Sequence, residues 1–384
     1  MKIRTICLAL LALSCSYQAK AQDEETKLVV KPSGRILLDG GLFDMEYNDE
    51  KFNDGVAIPD MRVGFKATYG KWSAKVDVSY AYGSVGMKDV YINYQLGKKD
   101  IIRGGYFVHQ YGLQSATSSS FKISMEEPRS NQAFNNSRLL GVSYQHADDK
   151  YAVTGSVFSE NDAMKMTTDK LGNQGVGVMA RVLWRPYASK GRIFHIGISG
   201  AYESPRYNSD SALNHKSYTL KATWPSRIAS VTSQQATVDN AKAMYKFTPE
   251  ITAAYNRLGI EAEYYYNAIT RDGNNHAFHG SGGYCALRGI LKGEAYDYNK
   301  WDGGIDTPAP GAMELVLAYD YSDLSDSKAQ VWGGISNDWS ATFNYYINKY
   351  MIWRVRASYT KVTDREGYED NHCSVLETRL QIKF

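Results

Sequence analysis

Residues 61–80 read MRVGFKATYGKWSAKVDVSY. Apolar and polar side chains alternate one by one before Gly70 and Lys71, and they alternate again after these two residues. Successive side chains of a β-strand point to opposite faces of a sheet, so this alternation predicts two strands joined by a tight turn. The stretch is expected to form a β-hairpin with one apolar face and one polar face.

The same alternation recurs to the last residue, and no segment shows an equally strong helical period. The pattern predicts seventeen strands. If the sheet closes into a single-chain bacterial membrane barrel, the number of strands must be even, so at least one of the seventeen is wrong. Here the error lies between Arg192 and Asn256, where the strand at 216–224 is weak. The seventeen predicted strands are 34–43, 61–69, 72–80, 88–96, 100–108, 138–146, 151–158, 176–185, 192–202, 216–224, 248–256, 258–267, 284–296, 312–321, 339–347, 351–361 and 375–384.

The connections between these strands fall into two classes. Short turns such as 97–99 and 147–150 alternate with long polar segments such as 110–137 and 159–175. Short turns on one rim and long loops on the other are typical of an outer-membrane barrel, in which the apolar face meets lipid. A soluble sandwich, the alternative, buries that face against a second sheet. The long connection at 297–311 indicates that its flanking strands extend further than predicted.

Aromatic residues lie near the strand ends, where a membrane barrel carries its interfacial girdles. The final strand alternates as well, and it ends on Phe384. The sequence therefore favours an all-β, transmembrane antiparallel barrel. The predicted girdle residues are Tyr69, Trp72, Tyr80, Trp184, Tyr202, Trp224, Tyr345 and Trp353.

Composition agrees with this fold class. The 384 residues include 30 Tyr and 33 Gly but 9 Pro, a skew towards strand-forming residues. Mean hydropathy of −0.44 excludes a bundle of membrane-spanning helices but not a barrel, whose strands alternate. Lys and Arg number 44 against 41 Asp and Glu, which excludes the basic excess of a nucleic-acid-binding protein.

The N-terminus predicts export. Lys2 and Arg4 precede an apolar run at 6–13, and Ala19-Lys20-Ala21 forms a cleavage site for a signal peptide at 1–21. A lipoprotein signal at Cys15 is the alternative. Cleavage removes three basic residues, so the 44 fall to 41, equal to the 41 acidic ones, and the mature chain is neutral. Residues 22–33 are then a short periplasmic segment, and 34–384 form the barrel.

Basic residues outnumber acidic ones on the polar face of the predicted strands. Because a guanidinium group offers a fork of donors to an oxyanion, such a lumen favours anions in a narrow pore. The alternative is that these side chains pair with lumenal acids and stiffen the wall. The candidates on the substrate path are Arg62, Lys66, Arg103, Arg354 and Arg356.

Several segments, in their order and spacing, resemble the phosphate-selective porin family, the porins O and P. They cover most of the mature chain outside 185–245, and they include MKDVYINY at 87–94, IRGGYF at 102–107, YGL at 111–113, AEYYY at 262–266, GAMEL at 311–315 and NYYIN at 344–348. The resemblance implies a trimeric barrel of sixteen strands whose third loop, 110–137, folds into the lumen as a constriction.

The resemblance also implies an anion site on that loop. Family members that select phosphate carry hydroxyl groups and lysines there, opposite lumenal arginines. Here the stretch reads SATSSS at 115–120, in which Ser118 and Ser119 supply hydroxyl groups, and Lys122 follows. Ser115 and Ser120 stand where lysine is expected, and the expected arginine pair is reduced to Met61-Arg62, so both departures weaken phosphate specificity.

The sequence thus predicts an outer-membrane porin of a Gram-negative bacterium for passive diffusion of small anions such as phosphate. Its expected partners are those anions, outer-membrane lipid and two further copies in a homotrimer, with no nucleic acid. A general or sugar-permeable porin is the first alternative, and a barrel enzyme, which needs a Ser–His or Asp–His set, is the second. No cofactor or metal is predicted, because His276 and His279 lack further ligands nearby. Cys285 and Cys373 form one disulfide or remain free.

Overall fold

The structure, a computed structural model, describes residues 27–47, 52–159, 175–205, 216–228 and 230–384. Two short helices, α1 (Gly112–Ala116) and α2 (Arg129–Phe134), accompany its strands. In chain order the strands are β1 (Val29–Met45), β2 (Gly55–Tyr69), β3 (Trp72–Ala81), β4 (Ser84–Gln95), β5 (Asp100–Phe107), β6 (Leu139–Ala147), β7 (Tyr151–Ser159), β8 (Val176–Ser189), β9 (Arg192–Glu203), β10 (Ser217–Thr223), β11 (Thr232–Asp239), β12 (Ala241–Tyr255), β13 (Leu258–Arg271), β14 (Phe278–Lys292), β15 (Tyr298–Asn299), β16 (Gly304–Ile305), β17 (Met313–Asp326), β18 (Val331–Tyr345), β19 (Met351–Arg365) and β20 (Asn371–Lys383).

Sixteen of these strands close into one antiparallel barrel in the order β1–β9, β12–β14 and β17–β20. Each strand pairs with the strands before and after it in this order. The first and last strands complete the closure, with Arg35 of β1 opposite Lys383 of β20 and Met45 opposite Cys373. The predicted fold class is confirmed, including the even strand number. Among the described residues, neither helix is long and apolar enough to cross a membrane.

The surplus strand is the one at 216–224. It forms β10, which pairs with β11 in a separate two-stranded sheet, while β9 pairs directly with β12. Alternation predicts that β10 is a strand, but it does not determine which other strand β10 pairs with. The ambiguity that the sequence placed between Arg192 and Asn256 lies at this hairpin.

Two further boundaries differ from the prediction. β1 begins at Val29, so the last residues of the predicted periplasmic segment 22–33 belong to the barrel. The predicted signal peptide at 1–21 lies outside the described residues. The connection at 297–311 is not explained by longer strands on both sides, because β14 ends at Lys292, before its predicted end. It is a loop that contains β15 and β16.

The two faces of the barrel wall are opposite in polarity to those of a soluble protein. Outward side chains such as Phe65 are exposed and apolar, whereas inward ones such as Asp77 are buried and polar. This arrangement is that of a barrel surrounded by lipid with a polar lumen. The girdle residues Tyr69, Trp72, Tyr80, Trp184, Tyr202 and Trp353 are exposed, but Trp224 is 6 % exposed in the turn after β10, so its prediction as a girdle residue is wrong.

The segment 108–138, here called the constriction loop, folds into the barrel as predicted. Its helix α1 begins on the inward Glu263 of β13, whose carboxylate accepts the Leu113 N–H at 2.6 Å and the Gln114 N–H at 3.0 Å. These N–H groups have no partner within the helix, and the carboxylate satisfies them. Gly112 has a φ of +77°, and a Cβ there collides with the same carboxylate.

Two more insertions share the lumen with the constriction loop. The hairpin loop, which contains β10 and β11, lies against β17 and β18, where Gln234 Nε2 donates to the carbonyls of Ser322 at 3.1 Å and Gly334 at 2.8 Å. The loop at 293–312 enters from the other rim and places the Lys300 carbonyl 2.6 Å from Arg185 Nη1. Together the three insertions fill one side of the barrel and leave the side of β1–β5 open.

Candidate functional site

The open side of the lumen holds a cavity of about 780 Å³ between the β1–β5 wall and the constriction loop. Among the described residues that line it, eleven side chains are basic and four are acidic, so the path carries a positive field. The basic residues are Arg35, Arg62, Lys66, Lys75, Lys88, Arg103, Lys122, Arg138, Arg227, Lys349 and Lys383; the acidic ones are Asp77, Asp89, Glu127 and Asp302.

The constriction loop meets the barrel wall at Ser119. Its hydroxyl oxygen accepts Arg35 Nη1 and Arg62 Nη1, each at 3.1 Å. Between the two guanidinium groups lies Asp60, whose carboxylate is 2.9 Å from Arg62 Nη2 and also pairs with Arg35. We call Arg35, Asp60 and Arg62 the arginine cluster. It presents guanidinium donors beside a hydroxyl group, which is the chemistry that binds an oxyanion.

The sequence identified Arg62 and Ser119 but not Arg35. The missing signal is the β1–β2 register, which places Arg35 directly opposite Arg62 on the lumenal face. The arginine pair that appeared reduced along the chain is therefore formed across two strands.

The other predicted path residues fall into two groups. Lys66, Arg103, Ser118 and Lys122 line the cavity. The Lys122 ammonium donates to the backbone carbonyl of Gln114 and to its side-chain oxygen at 3.1 Å, so its charge is held against the loop.

Arg354 and Arg356 also point inward, but they do not line the cavity. Arg354 is 2 % exposed beneath the constriction loop, and Arg356 is 4 % exposed beneath the hairpin loop. Arg354 Nη1 donates to the Ser124 carbonyl at 2.5 Å, and Arg356 Nη1 donates to the Pro225 carbonyl at 2.8 Å. The structure corrects their assignment to the substrate path, because strand parity predicts direction and not which inward residues a loop covers.

Buried ion pairs hold the filled side of the lumen. Arg181 lies 2.6 Å from Glu250, and Arg288 lies 2.7 Å from Glu314, in each case between charged groups of side chains that are at most 2 % exposed. A buried charge without a partner costs several kcal/mol, on the order of 3–5 kcal/mol, so these pairs fix the wall on which the loops pack. The wall-stiffening interpretation applies to these arginines.

Glu126 joins the two large insertions. It lies on the constriction loop and accepts Arg379 Nη2 of β20 at 2.8 Å and Arg227 Nε of the hairpin loop at 3.0 Å. Burial raises the pKa of the Glu126 carboxyl, but the positive charges of Arg227 and Arg379 outweigh burial and hold the pKa below its ordinary value. Arg227 thereby reaches the cavity, a contribution that the sequence missed because the hairpin loop lies outside the recognised segments.

The described residues also settle the state of the cysteines. Cys285 and Cys373 are free thiols, the first exposed on the outer face and the second buried. The 27–384 portion, within its described ranges, contains no group of three His, Cys, Asp or Glu side chains placed to hold a metal ion.

Comparison with known proteins places this geometry among porins. A protein of Caulobacter vibrioides described as uncharacterized is 23 % identical over 374 residues, which cover 92 % of this chain and 74 % of that protein. The trimer form of OmpT, an outer-membrane protein of Vibrio cholerae, superposes with a TM-score of 0.60 at 10 % identity, over 93 % of this chain and 99 % of that one. An anion-selective porin from Comamonas acidovorans superposes with a TM-score of 0.58 at 10 % identity, over 93 % and 100 %.

At these identities the solved structures show the shared fold alone, a closed β-barrel. The family model described as phosphate-selective porin O and P matches residues 30–384, which include all sixteen barrel strands but for the first residue of β1. The chain belongs to that porin family.

Proposed function

We propose that this porin conducts small anions across the outer membrane by passive diffusion, with phosphate as one of several that pass. The observation that carries the proposal is the excess of basic over acidic side chains along the open path. A positive field in a narrow, low-dielectric passage raises the local concentration of anions and opposes the entry of cations. The description of the family and of the Comamonas porin supports the same selectivity.

Phosphate is proposed as one of several permeating anions because the arginine cluster is partly satisfied without it. Asp60 already occupies donors of both arginines, and Ser119 occupies another donor of each. An inorganic anion must therefore share these donors, which favours weak binding and rapid release. Conduction requires binding of this kind, which is strong enough for the anion to enter the pore and weak enough for it to leave.

We also propose that the chain assembles as a homotrimer in contact with outer-membrane lipid. The apolar outer face of the wall supports the lipid contact. The trimer form of the Vibrio cholerae protein, which shares the fold, supports the assembly.

The test is the reversal potential of single channels in a planar bilayer under a KCl gradient. We expect chloride to be more permeant than potassium, and the double variant Arg62→Gln, Lys66→Gln to reduce this preference. Lys361→Gln removes the same type of charge from an exposed position on β19 and should leave it unchanged. A cation-selective native channel contradicts the proposal, and a reversal potential near zero supports a general or sugar-permeable porin instead.

A further inference from the structure

Three of the basic side chains in the pore lining are paired with aromatic rings. Lys383 Nζ lies 3.9 Å from the centre of the Phe121 ring, and Lys349 Nζ lies 4.7 Å from that of Tyr350. The Arg103 guanidinium lies 4.2 Å from the centre of the Tyr91 ring. All six residues line the cavity. The path therefore offers aromatic surface beside positive charge.

Phe121 is the ring nearest in sequence to the loop–wall contact. It follows Ser119 and Ser120, which both receive hydrogen bonds from Arg35, and its partner Lys383 is opposite Arg35 in the β1–β20 register. The loop is fixed at this point, because Gln381 Nε2 donates to the Ser120 carbonyl at 2.9 Å and the Phe121 N–H donates to the Ser118 carbonyl at 2.9 Å. The ring is 40 % exposed, so it presents apolar surface within the lumen.

We propose that this pore favours organic anions with an aromatic body, such as aromatic carboxylates and sulfonates, over anions with the same head group and no ring. The inference rests on the anion conduction proposed above and names the class of anion. The head group receives donors at the arginine cluster, while the ring of the anion packs on the exposed Phe121 ring. Two aromatic rings in an offset or edge-to-face arrangement gain free energy beyond the apolar area that they bury.

The decisive comparison uses two probes with one head group, benzenesulfonate and methanesulfonate, as blockers of chloride current through the full-length channel. Both remain singly charged at neutral pH, so they share charge and head group and differ in the group bound to sulfur, a phenyl ring in one and a methyl group in the other. We expect benzenesulfonate to reach half-block at a concentration about three- to tenfold lower, the range that one aromatic contact supports. Phe121→Ala should bring the two concentrations to within about twofold of each other.

Two further variants separate ring contact from charge. Lys383→Gln removes positive charge and should weaken both sulfonates to a similar extent. Tyr187→Ala removes a ring from another cation–ring pair with the same separation, since the Arg192 guanidinium lies 3.9 Å from its centre, but neither residue lines the cavity. This control should keep the native preference for benzenesulfonate.

Equal potency of the two sulfonates in the native channel overturns the inference, and so does a preference that persists in Phe121→Ala. Should Phe121→Ala fail to assemble, Phe121→Leu retains bulk without a ring and decides in the same way. Loss of chloride selectivity in the KCl gradient is a separate result, which overturns the proposed anion conduction and leaves the sulfonate comparison measurable.

Discussion

At the scale of single residues, Asp60 limits the positive charge of the arginine cluster. It pairs with Arg35 and Arg62 at the contact between wall and loop, so one carboxylate offsets part of the charge of two cations. A pore selected for maximal anion attraction has no need of this side chain. Its presence indicates that two guanidinium groups on facing strands need a bridging acid to lie side by side.

Asp60→Asn therefore has two expected effects. The channel becomes more anion-selective, because both arginines keep their charge while the amide adds none. The barrel also loses stability, on the order of 3–5 kcal/mol, because the two cations repel each other without their shared partner. Reversal potential and thermal unfolding in detergent measure the two effects. Asp44→Asn, the same change at an exposed outer position on β1, should alter neither; an unchanged reversal potential in Asp60→Asn contradicts the role given to Asp60.

Arg354 is a lumenal charge that does not lie on the open side of the pore. It faces inward, yet its guanidinium lies beneath the constriction loop and donates to the Ser124 carbonyl. Arg354→Gln should lower thermal stability and shift the reversal potential less than Arg62→Gln does, because Arg62 alone of the two lines the cavity. Equal shifts in the two variants contradict this difference.

At the scale of elements, the constriction loop depends on the start of α1. Gly112→Ala places a methyl group against the Glu263 carboxylate and forces a non-glycine residue into a positive φ, which costs about 1–2 kcal/mol before the collision is counted. We expect the loop to detach, with higher single-channel conductance and lower selectivity. Gly155→Ala, in β7, has open space around the added carbon and should conduct as the native channel does. Native conductance in Gly112→Ala contradicts the anchoring role of this contact.

Glu126 makes the contact between the two insertions sensitive to pH. Because its pKa is held below the ordinary value, the ionised carboxylate stabilises the folded arrangement above pH 4.5, and this contribution disappears as the pH falls through the lowered pKa. Arg227, Arg379 and Arg356 are the cations that face it. We expect the open-channel current to become noisier on acidification below about pH 4.5. Glu126→Gln should show this noise at neutral pH; a quiet variant contradicts the role of the bridge.

The sequence predicts where most strands lie, but it does not predict which inward-facing residues the loops cover. Alternation from Met61 to Tyr80 depends on local geometry, so β3 is predicted to within one residue and β2 ends where predicted, although β2 begins at Gly55, before the alternation becomes clear. β10 has a weaker alternating pattern and is a strand as well, but it packs inside the barrel, because it pairs with β11 within the hairpin loop. For the same reason parity places Arg356 on the lumenal face correctly and gives no sign that Pro225 covers it.

At the scale of the whole molecule, the pore is what the three insertions leave open, rather than the full width of a sixteen-stranded barrel. A barrel of this strand number encloses an aqueous channel unless loops occupy it. The insertions pack on the inner faces of β8, β9, β12–β14 and β17–β20, through ion pairs and through hydrogen bonds to side chains and backbone carbonyls. We therefore expect the proposed charge selectivity to arise from the wall of β1–β5, which the insertions leave uncovered.

The hairpin loop provides a test of this division between barrel and insertions. Because β9 and β12 pair directly, from Glu203 opposite Met244 to Arg192 opposite Tyr255, replacement of residues 205–240 by a short turn should leave the barrel closed. The deletion removes Arg227 from the cavity and uncovers Arg356. We expect higher conductance in single-channel recordings, and an anion preference that is weaker because the wider lumen screens the remaining charges more strongly.

The matched control keeps the hairpin loop and removes one charge, in Arg227→Gln. This variant should lower the anion preference with a small change in conductance, since the space filled by β10 and β11 is retained. A deletion variant that is folded yet conducts as the native channel does contradicts the division, because the width of the path would then be set by the constriction loop and the 293–312 loop without the hairpin loop.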